Sequence, residues 1–509
     1  MIASLVTLVA GLAATVVGAP RWLRLAQREH YLPGSVGRFA LRWWALPPFN
    51  PLLASVSVAA LGVAAALTPV GIVAAALALG APVGLSLRGR TSRLAWTARC
   101  RTLAATAALI AGVVVGGVAV AGIRPAAVAA CALALLSPLV VDLATVVTKP
   151  LEARRLAPYL RRASAQLAQV APRVVAITGS YGKTTTKGYV AHLVSGSRVV
   201  VASPRSFNNR AGLATAINQG LAPGAEVFVA EMGTYGPGEI AALCAWIPPD
   251  IAVITAIGPV HLERMGTEER IVEAKAEILV RAPVAVINVD HPLLAPLAER
   301  AAAEGKKVWR CSAFDTSADV VVRADRGETR IDVAGASLTV GDLHAPPTNV
   351  ACAIAVALEL GVSFEAVGRR LPTLPGAEHR QTITTGQQGQ TIIDDTYNAN
   401  PAGAAAALAT VGRLGAAASR RVLVTPGMVE LGPRQATANR QMVADGAQVL
   451  THLVVIGATN AAALVAGAED AGVEVVRVRY RPQAVEWVSA HTTAGDVVLY
   501  ENDLPDHFP

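Results

Sequence analysis

The sequence predicts an α-helical membrane-spanning region followed by an α/β region with mainly parallel sheet. Three observations predict it. Apolar residues make up 53% of the 509-residue chain and crowd into residues 1–150. The basic residues of that region fall in clusters between the apolar runs. From Arg173 onward, short β-branched runs alternate with helical stretches, the pattern of a parallel sheet covered by helices.

Ile2 to Ala19 is an apolar run of spanning length, and Arg21, Arg24 and Arg28 follow it. A cleaved signal peptide carries its charge ahead of the apolar core, so this order predicts an anchor with its N-terminus outside. Pro51 to Leu87 is too long for one span and breaks at Thr68-Pro69, which predicts a tight helical hairpin. Leu103 to Ile123 and Ala126 to Val147 are separated only by Arg124-Pro125. At about 20 apolar residues per span, residues 1–148 are expected to cross a bilayer five times.

Charge fixes the expected orientation. Five arginines stand between Arg21 and Arg42 and five between Arg88 and Arg101, while Lys149, Arg154, Arg155, Arg161 and Arg162 follow the last run. The turns at Thr68-Pro69 and Arg124-Pro125 carry almost no charge. Basic loops stay on the cytoplasmic side, so the reading is a multi-pass protein of the cell membrane whose residues past 148 face the cytoplasm. Trp43 and Trp44 are expected at the interface. Asp142 is the one acidic residue within a span, and a functional role and a helix-packing role are both open for it.

Residues 1–150 carry a net charge of +10 and the remainder −2, so the basic balance belongs to the membrane region and does not point to nucleic acid. Five widely separated cysteines with no C-x-x-C spacing argue against a zinc ribbon or a disulfide framework and fit a reducing compartment.

In the α/β part, Val174, Val175, Ala176 and Ile177 lead into Thr178-Gly179-Ser180-Tyr181-Gly182-Lys183-Thr184-Thr185-Thr186 and then a helix-compatible segment. A strand, a glycine-bearing turn and a helix start aim backbone N–H groups and the positive end of the helix dipole at an anion. Lys183 adds a point charge, and Thr184 or Thr185 a hydroxyl for magnesium. The stretch predicts a nucleoside-triphosphate site in a shortened G-x-x-G-K-T-T form, since Ile177 stands where the full pattern has glycine. A chance Gly-Lys-Thr is common, but the strand before it and the helix after it speak against chance here. The runs EVFVAE, DIAVITAI and VAVINV predict further strands, with Glu231, His261 and Asn288 with Asp290 at or shortly after their carboxyl ends, where ligand groups of such sheets collect.

Nine blocks in order then resemble the Mur ligases, ATP-dependent enzymes that join amino acids to peptidoglycan precursors, and among them the branch that adds D-alanyl-D-alanine. They are ITGSYGKTTTK, SFNNRAGL, EMG with GEI, TAIGPVHLERMGTEERIVEAKAEI, NVD, PTNVACAIAVALELG, the pair His379-Arg380, IDDTYNANP and GMVELG, spread from residue 173 to about 505. The resemblance implies a P-loop-type central domain and a Rossmann-like C-terminal domain, with ATP and Mg2+ as cofactors. It implies transfer of the γ-phosphoryl group to a carboxylate, followed by attack of an amine. The expected domains are a basic cytoplasmic linker at 149–172, a central ATP-binding domain at 173–372, and a C-terminal domain at 376–509 behind the connector PTLPGAEHR.

The same resemblance implies the site residues. Gly179, Ser180, Gly182, Lys183, Thr184, Thr185, Asn209, Asn288, Arg380, Asp395, Tyr397 and Asn398 would face the nucleotide. Thr184, Glu231, His261 and Lys275 would serve the metal, with Lys275 carbamylated, and Lys183, Lys275, His261 and Arg380 would be catalytic. Read from the residues alone, Lys275 is a solvated partner of Glu273 or Glu277, and DDTYNANP is a polar turn after a strand.

Two departures bear on the substrate. The D-alanyl-D-alanine-adding enzymes carry an N-terminal domain that binds a uridine diphosphate sugar, and here apolar runs take its place. The expected GDM of the last domain reads Pro426-Gly427-Met428. A UDP-linked muramoyl peptide and a lipid-linked precursor both stay open as the acceptor, with an amino acid or dipeptide as the other substrate. A membrane transport ATPase is a competing reading without an LSGGQ-like signature to support it. A catalytically weakened scaffold is opposed by the presence of Lys183, Glu231, His261, Lys275 and Arg380.

Overall fold

The structure, a computed structural model, describes the chain apart from residues 90–92, 205–206, 261, 326, 377–381, 398 and 505–506. It divides into two compact units, one of residues 1–155 with 457–459 and 503–509, the other of 156–456 with 460–502.

The first unit is helical: α1 (Ile2–Arg28), α2 (Ser35–Trp44), α3 (Asn50–Ala64), α4 (Gly71–Gly80), α5 (Ala98–Ala119) and the start of α6 (Ile123–Val170). Among the described residues three helices, α1, α5 and α6, are long and apolar enough to cross a membrane. The expected hairpin forms from α3 and α4 around a 3-10 turn at Thr68–Val70. Its arms of 15 and 10 residues rise about 22 and 15 Å, less than a hydrocarbon core of about 30 Å. Where five helices of spanning length were expected, the described residues hold three and one short hairpin. The segment expected as a linker is helical too, because α6 runs 48 residues without interruption to Val170 despite Pro138, Pro150 and Pro158.

Small and capping residues hold these helices together. A Cβ on Gly11 would lie 2.6 Å from the backbone nitrogen of Cys131, so α1 and α6 touch backbone to backbone. Asp142 accepts from the backbone N–H groups of Val36 (3.2 Å) and Gly37 (2.8 Å), which caps the start of α2. Arg21 donates to the carbonyls of Leu79 (3.3 Å) and Ala81 (3.0 Å), at and just past the end of α4. Trp43, expected at an interface, is buried with Trp22, Leu25 and Phe39. Its indole N–H donates to the carbonyl of His507 (2.7 Å), whose Nε2 lies 3.3 Å from Glu29 Oε1. The carbonyl of Pro509 accepts from the N–H groups of Ala458 (3.2 Å) and Thr459 (2.8 Å).

The second unit holds two sheets. The larger comprises β1 (Arg173–Thr178), β2 (Val200–Ala202), β3 (Val227–Glu231), β4 (Ile251–Ile254), β5 (Val284–Asn288), β6 (Lys307–Ser312), β7 (Val320–Asp325), β8 (Glu328–Val333) and β9 (Ala336–Gly341), in the order β2-β3-β1-β4-β5-β6-β7-β8-β9. Pairing is parallel as far as β7, and β8 and β9 add an antiparallel edge. Strands β1, β3, β4 and β5 are the apolar runs of the sequence, buried on both faces as a sheet covered by helices requires. Leu213, Ile217, Ile240 and Leu297 cover one face, and Tyr189, Leu193, Val350 and Ile354 the other.

The smaller sheet comprises β10 (Thr382–Thr385), β11 (Thr391–Asp395), β12 (Arg421–Thr425), β13 (His452–Ile456), β14 (Glu474–Val478) and β15 (Val497–Glu501), in the order β10-β11-β15-β12-β13-β14. Only its β10–β11 pairing is antiparallel among the described residues. Both sheets therefore have the mainly parallel character expected.

Candidate active site

Strand order builds the site. β1 lies between β3 and β4, with Ile177 in register with Glu231 and Thr178 with Ile254. The loop after β1, the carboxylate ending β3 and the segment after β4 therefore meet at one edge, where parallel sheets bind ligands. The loop 179–182 turns into the helix α7 (Lys183–Val194).

Two glycines are required there. Gly179 has φ +154°, and a Cβ on it would fall 2.1 Å from the Thr255 hydroxyl oxygen. Gly182 has φ +77°, and a Cβ on it would fall 2.5 Å from Asn349 Oδ1. Ser180 ties the loop to the next strand, its N–H donating to Ala256 O (2.6 Å) and its hydroxyl to Gly258 O (3.2 Å). The first bond of the helix runs from Thr186 N–H to Gly182 O (2.8 Å), so the N–H groups ahead of it point along the axis toward the loop. The Lys183 ammonium arches over the loop and donates to the carbonyls of Gly179 (2.8 Å) and Ser180 (3.3 Å).

Glu231 is the centre of the polar network. Its Oε2 accepts from the Thr184 hydroxyl (2.9 Å) and the Lys187 ammonium (3.1 Å), and its Oε1 from the Asn208 amide (3.3 Å). Of the two threonines open for a metal, Thr184 is the one that meets this carboxylate. Lys275 is buried rather than solvated. With Gly179, Ser180, Lys183, Asn208 and Thr234 it lines a cavity of about 50 Å³. Burial first, and then the positive charge of Lys183, push its pKa well below the ordinary lysine value.

The other expected residues have the following surroundings. Asn209 caps the helix α8 (Arg210–Gly220), its Oδ1 accepting from Gly212 N–H (3.0 Å), while its neighbour Asn208 faces the site. Asn288 accepts from Asp290 N–H (3.0 Å) within its own loop. Thr185 is buried in the first turn of α7. Asp395 ends β11 in register with Glu501 of β15, and Tyr397 is exposed. His261, Arg380 and Asn398 lie outside the described residues.

Sequence reasoning missed Lys187 and Asn208. A signal for the first was available, since Lys187 stands three residues past Thr184 on one helix face. The second was one position away from the asparagine chosen in SFNNRAGL.

The C-terminal part approaches the same edge. Arg264 pairs with Glu430 (3.2 Å) and Arg434 with Glu268 (2.8 Å), so the loop after β12 rests on residues 262–268. Asparagines secure that loop. Asn439 Oδ1 accepts from Met428 N–H (2.7 Å), Asn460 donates to Pro426 O (2.9 Å), and Asn502 donates to Gly427 O (2.7 Å). Gly427 has φ +78°, and a Cβ on it would lie 2.5 Å from Asn439 Oδ1.

Among the described residues no group of three or more His, Cys, Asp or Glu gathers as a metal centre. The donors present, a threonine hydroxyl on a glutamate carboxylate beside the glycine-bearing loop, are hard oxygens of the kind magnesium takes when phosphates complete its shell.

Residues 177–355 match the Mur ligase middle domain and residues 379–500 the Mur ligase, glutamate ligase domain. The chain is 33% identical over 383 residues to UDP-N-acetylmuramoyl-tripeptide--D-alanyl-D-alanine ligase of Mycobacterium leprae (strain TN), an alignment that covers 68% of this chain and 73% of that protein. It is 36% identical over 290 residues to the enzyme of the same name from Mycobacterium tuberculosis (strain ATCC 25618 / H37Rv), covering 54% of this chain and 56% of that one. MurF ligase from Thermotoga maritima, solved in complex with ADP, superposes with a TM-score of 0.58 at 26% identity over 68% of this chain and 80% of its own. MurF from Acinetobacter baumannii does so with a TM-score of 0.59 at 25% identity over 68% and 77%. Fold and relatives together define an ATP-dependent amino-acid ligase. The chain belongs to the Mur ligase family.

Proposed function

We propose that this protein is a membrane-anchored ligase of peptidoglycan precursor synthesis that joins an amino acid or dipeptide, D-alanyl-D-alanine first among the candidates, to a muramoyl peptide through an acyl phosphate. The observation that carries the proposal is the meeting of Lys183, Thr184 and Glu231 at the ends of two adjacent parallel strands. Such an arrangement positions phosphates and neutralises their charge, and most of the catalysis of phosphoryl transfer is work of that kind.

The acceptor carboxylate attacks the γ-phosphorus of ATP and ADP leaves. The amine then attacks the acyl carbon, loses a proton and expels phosphate. Lys183 and the start of α7 hold the phosphate oxygens. Thr184 and Glu231 would hold magnesium, which would offset the charge that accumulates on those oxygens, and the resemblance assigns His261 to the same ion. Lys275 is suited to carbamylation, because only an unprotonated amine adds to carbon dioxide and its surroundings favour that form. Arg380, Asp395, Tyr397 and Asn398 are assigned to the nucleotide face of the C-terminal domain, whose closure would keep water from the acyl phosphate.

Helices of spanning length ahead of the ligase domains support an anchor, with the N-terminus outside and the catalytic domains in the cytoplasm. They also favour a lipid-linked acceptor as a second reading, since an acceptor already in the bilayer needs no soluble sugar-nucleotide domain. The test supplies purified full-length protein in detergent with ATP, Mg2+ and candidate amines. UDP-linked and lipid-linked muramoyl peptides are offered in separate arms, and the product is identified by mass. Release of ADP and phosphate that needs both amine and carboxylate is the expected result. Hydrolysis indifferent to the amine would overturn the proposal.

A further inference from the structure

Glu231 and Lys187 form an ion pair whose side chains are 2% and 6% exposed. An unpaired carboxylate at that depth is strongly disfavoured, so this burial needs a compensating cation. The helix supplies one from its own face, because Lys187 follows Thr184 by three residues and both reach the same oxygen, Oε2. A carboxylate oxygen accepts about two hydrogen bonds. Oε2 is therefore fully engaged by Thr184 and Lys187, whereas Oε1 has only the longer contact from Asn208 among the hydrogen bonds described.

We propose that Lys187 is a built-in counter-cation for Glu231 that holds the place of the metal's charge until a nucleotide arrives. The inference rests on the reading of Glu231 and Thr184 as the magnesium site. Metal reaching Oε2 must displace the Lys187 ammonium, so loading is an exchange of cation for cation and gains little from Glu231 alone. The triphosphate supplies the extra negative charge that makes the exchange favourable. Lys187 is thus a positioning residue that ties metal binding to nucleotide binding and disfavours occupation by Mg2+ by itself.

Full-length protein in detergent is titrated with Mg2+ alone, and binding is read by calorimetry and by thermal unfolding. Wild type should respond weakly. Lys187→Met should be less stable without metal, regain stability with it, and bind Mg2+ about tenfold more tightly or better. Lys187→Arg, which keeps the charge, should behave as wild type. Equal loss of stability with and without Mg2+ in Lys187→Met would show a merely structural ion pair and overturn the inference. Where that variant does not fold, Lys187→Gln is read by the same criterion. Glu231→Gln separates the two claims. If it leaves the Mg2+ dependence of ADP binding unchanged, the metal reading itself is wrong.

Discussion

The indole N–H of Trp43 and the carbonyl of His507 meet at 2.7 Å although 464 positions separate them in the chain. His507 is buried as well, set between Glu29 and the ring of Phe39 at 5.1 Å. Trp43→Phe keeps the apolar bulk and deletes the donor, leaving a buried carbonyl short of a partner. It should cost about 1–2 kcal/mol of stability, measured as a lower unfolding temperature of the full-length protein in detergent, with no change in nucleotide affinity.

Gly182→Ala tests the phosphate loop. The new Cβ meets Asn349 and the residue must keep a positive φ. The expected loss is about 1–3 kcal/mol together with weakened ADP binding by calorimetry. Lys183→Met should leave the fold intact and lower kcat by about a hundredfold or more, read as phosphate release at saturating substrates.

Glu501 supplies a pH dependence. It is buried at the end of β15, and burial first and then the charge of Asp395 raise its carboxyl pKa well above the ordinary value of 4.5. A carboxyl with a raised folded pKa stabilises the fold fully below its unfolded pKa. That contribution is lost as pH rises from the unfolded toward the folded value. Glu501→Gln, which stays neutral, should therefore gain stability relative to wild type as pH rises past the mid-fours, and no advantage should appear at lower pH. Denaturant melts across pH check the sign.

Orientation can be read by cysteine labelling, because the five native cysteines are buried. Leu67→Cys and Val120→Cys sit at exposed turns, and Tyr159→Cys at an exposed site on α6. A membrane-impermeant maleimide should modify the first two in intact cells and the third only after permeabilisation. The reverse pattern would place the ligase domains outside.

What could be read from the sequence follows from how local the signal was. β1, β3, β4 and β5 are buried on both faces and so appear as uninterrupted apolar runs. β8, with alternating burial and charged residues such as Glu328, Arg330 and Asp332, and the mostly exposed β9 lack such a run, and the antiparallel edge escaped notice. The basic stretch 149–172 was expected as a linker, whereas α6 continues as helix through Pro150 and Pro158 to Val170. At the site, Lys183, Thr184 and Glu231 were legible because they end strands or begin a helix. The Lys187–Glu231 pair depends on β3 lying beside β1, a long-range fact that no local pattern carries.

The loop Pro426–Met428 limits what its middle residue can become. At Gly427 the backbone is left-handed, Asn439 and Asn460 stand where a Cβ would project, and Asn502 donates to its carbonyl. An aspartate at 427 would need these neighbours to be rebuilt together, so a single substitution does not suffice. A graft that places aspartate at 427 would have to exchange Asn439, Asn460 and Asn502 along with the loop.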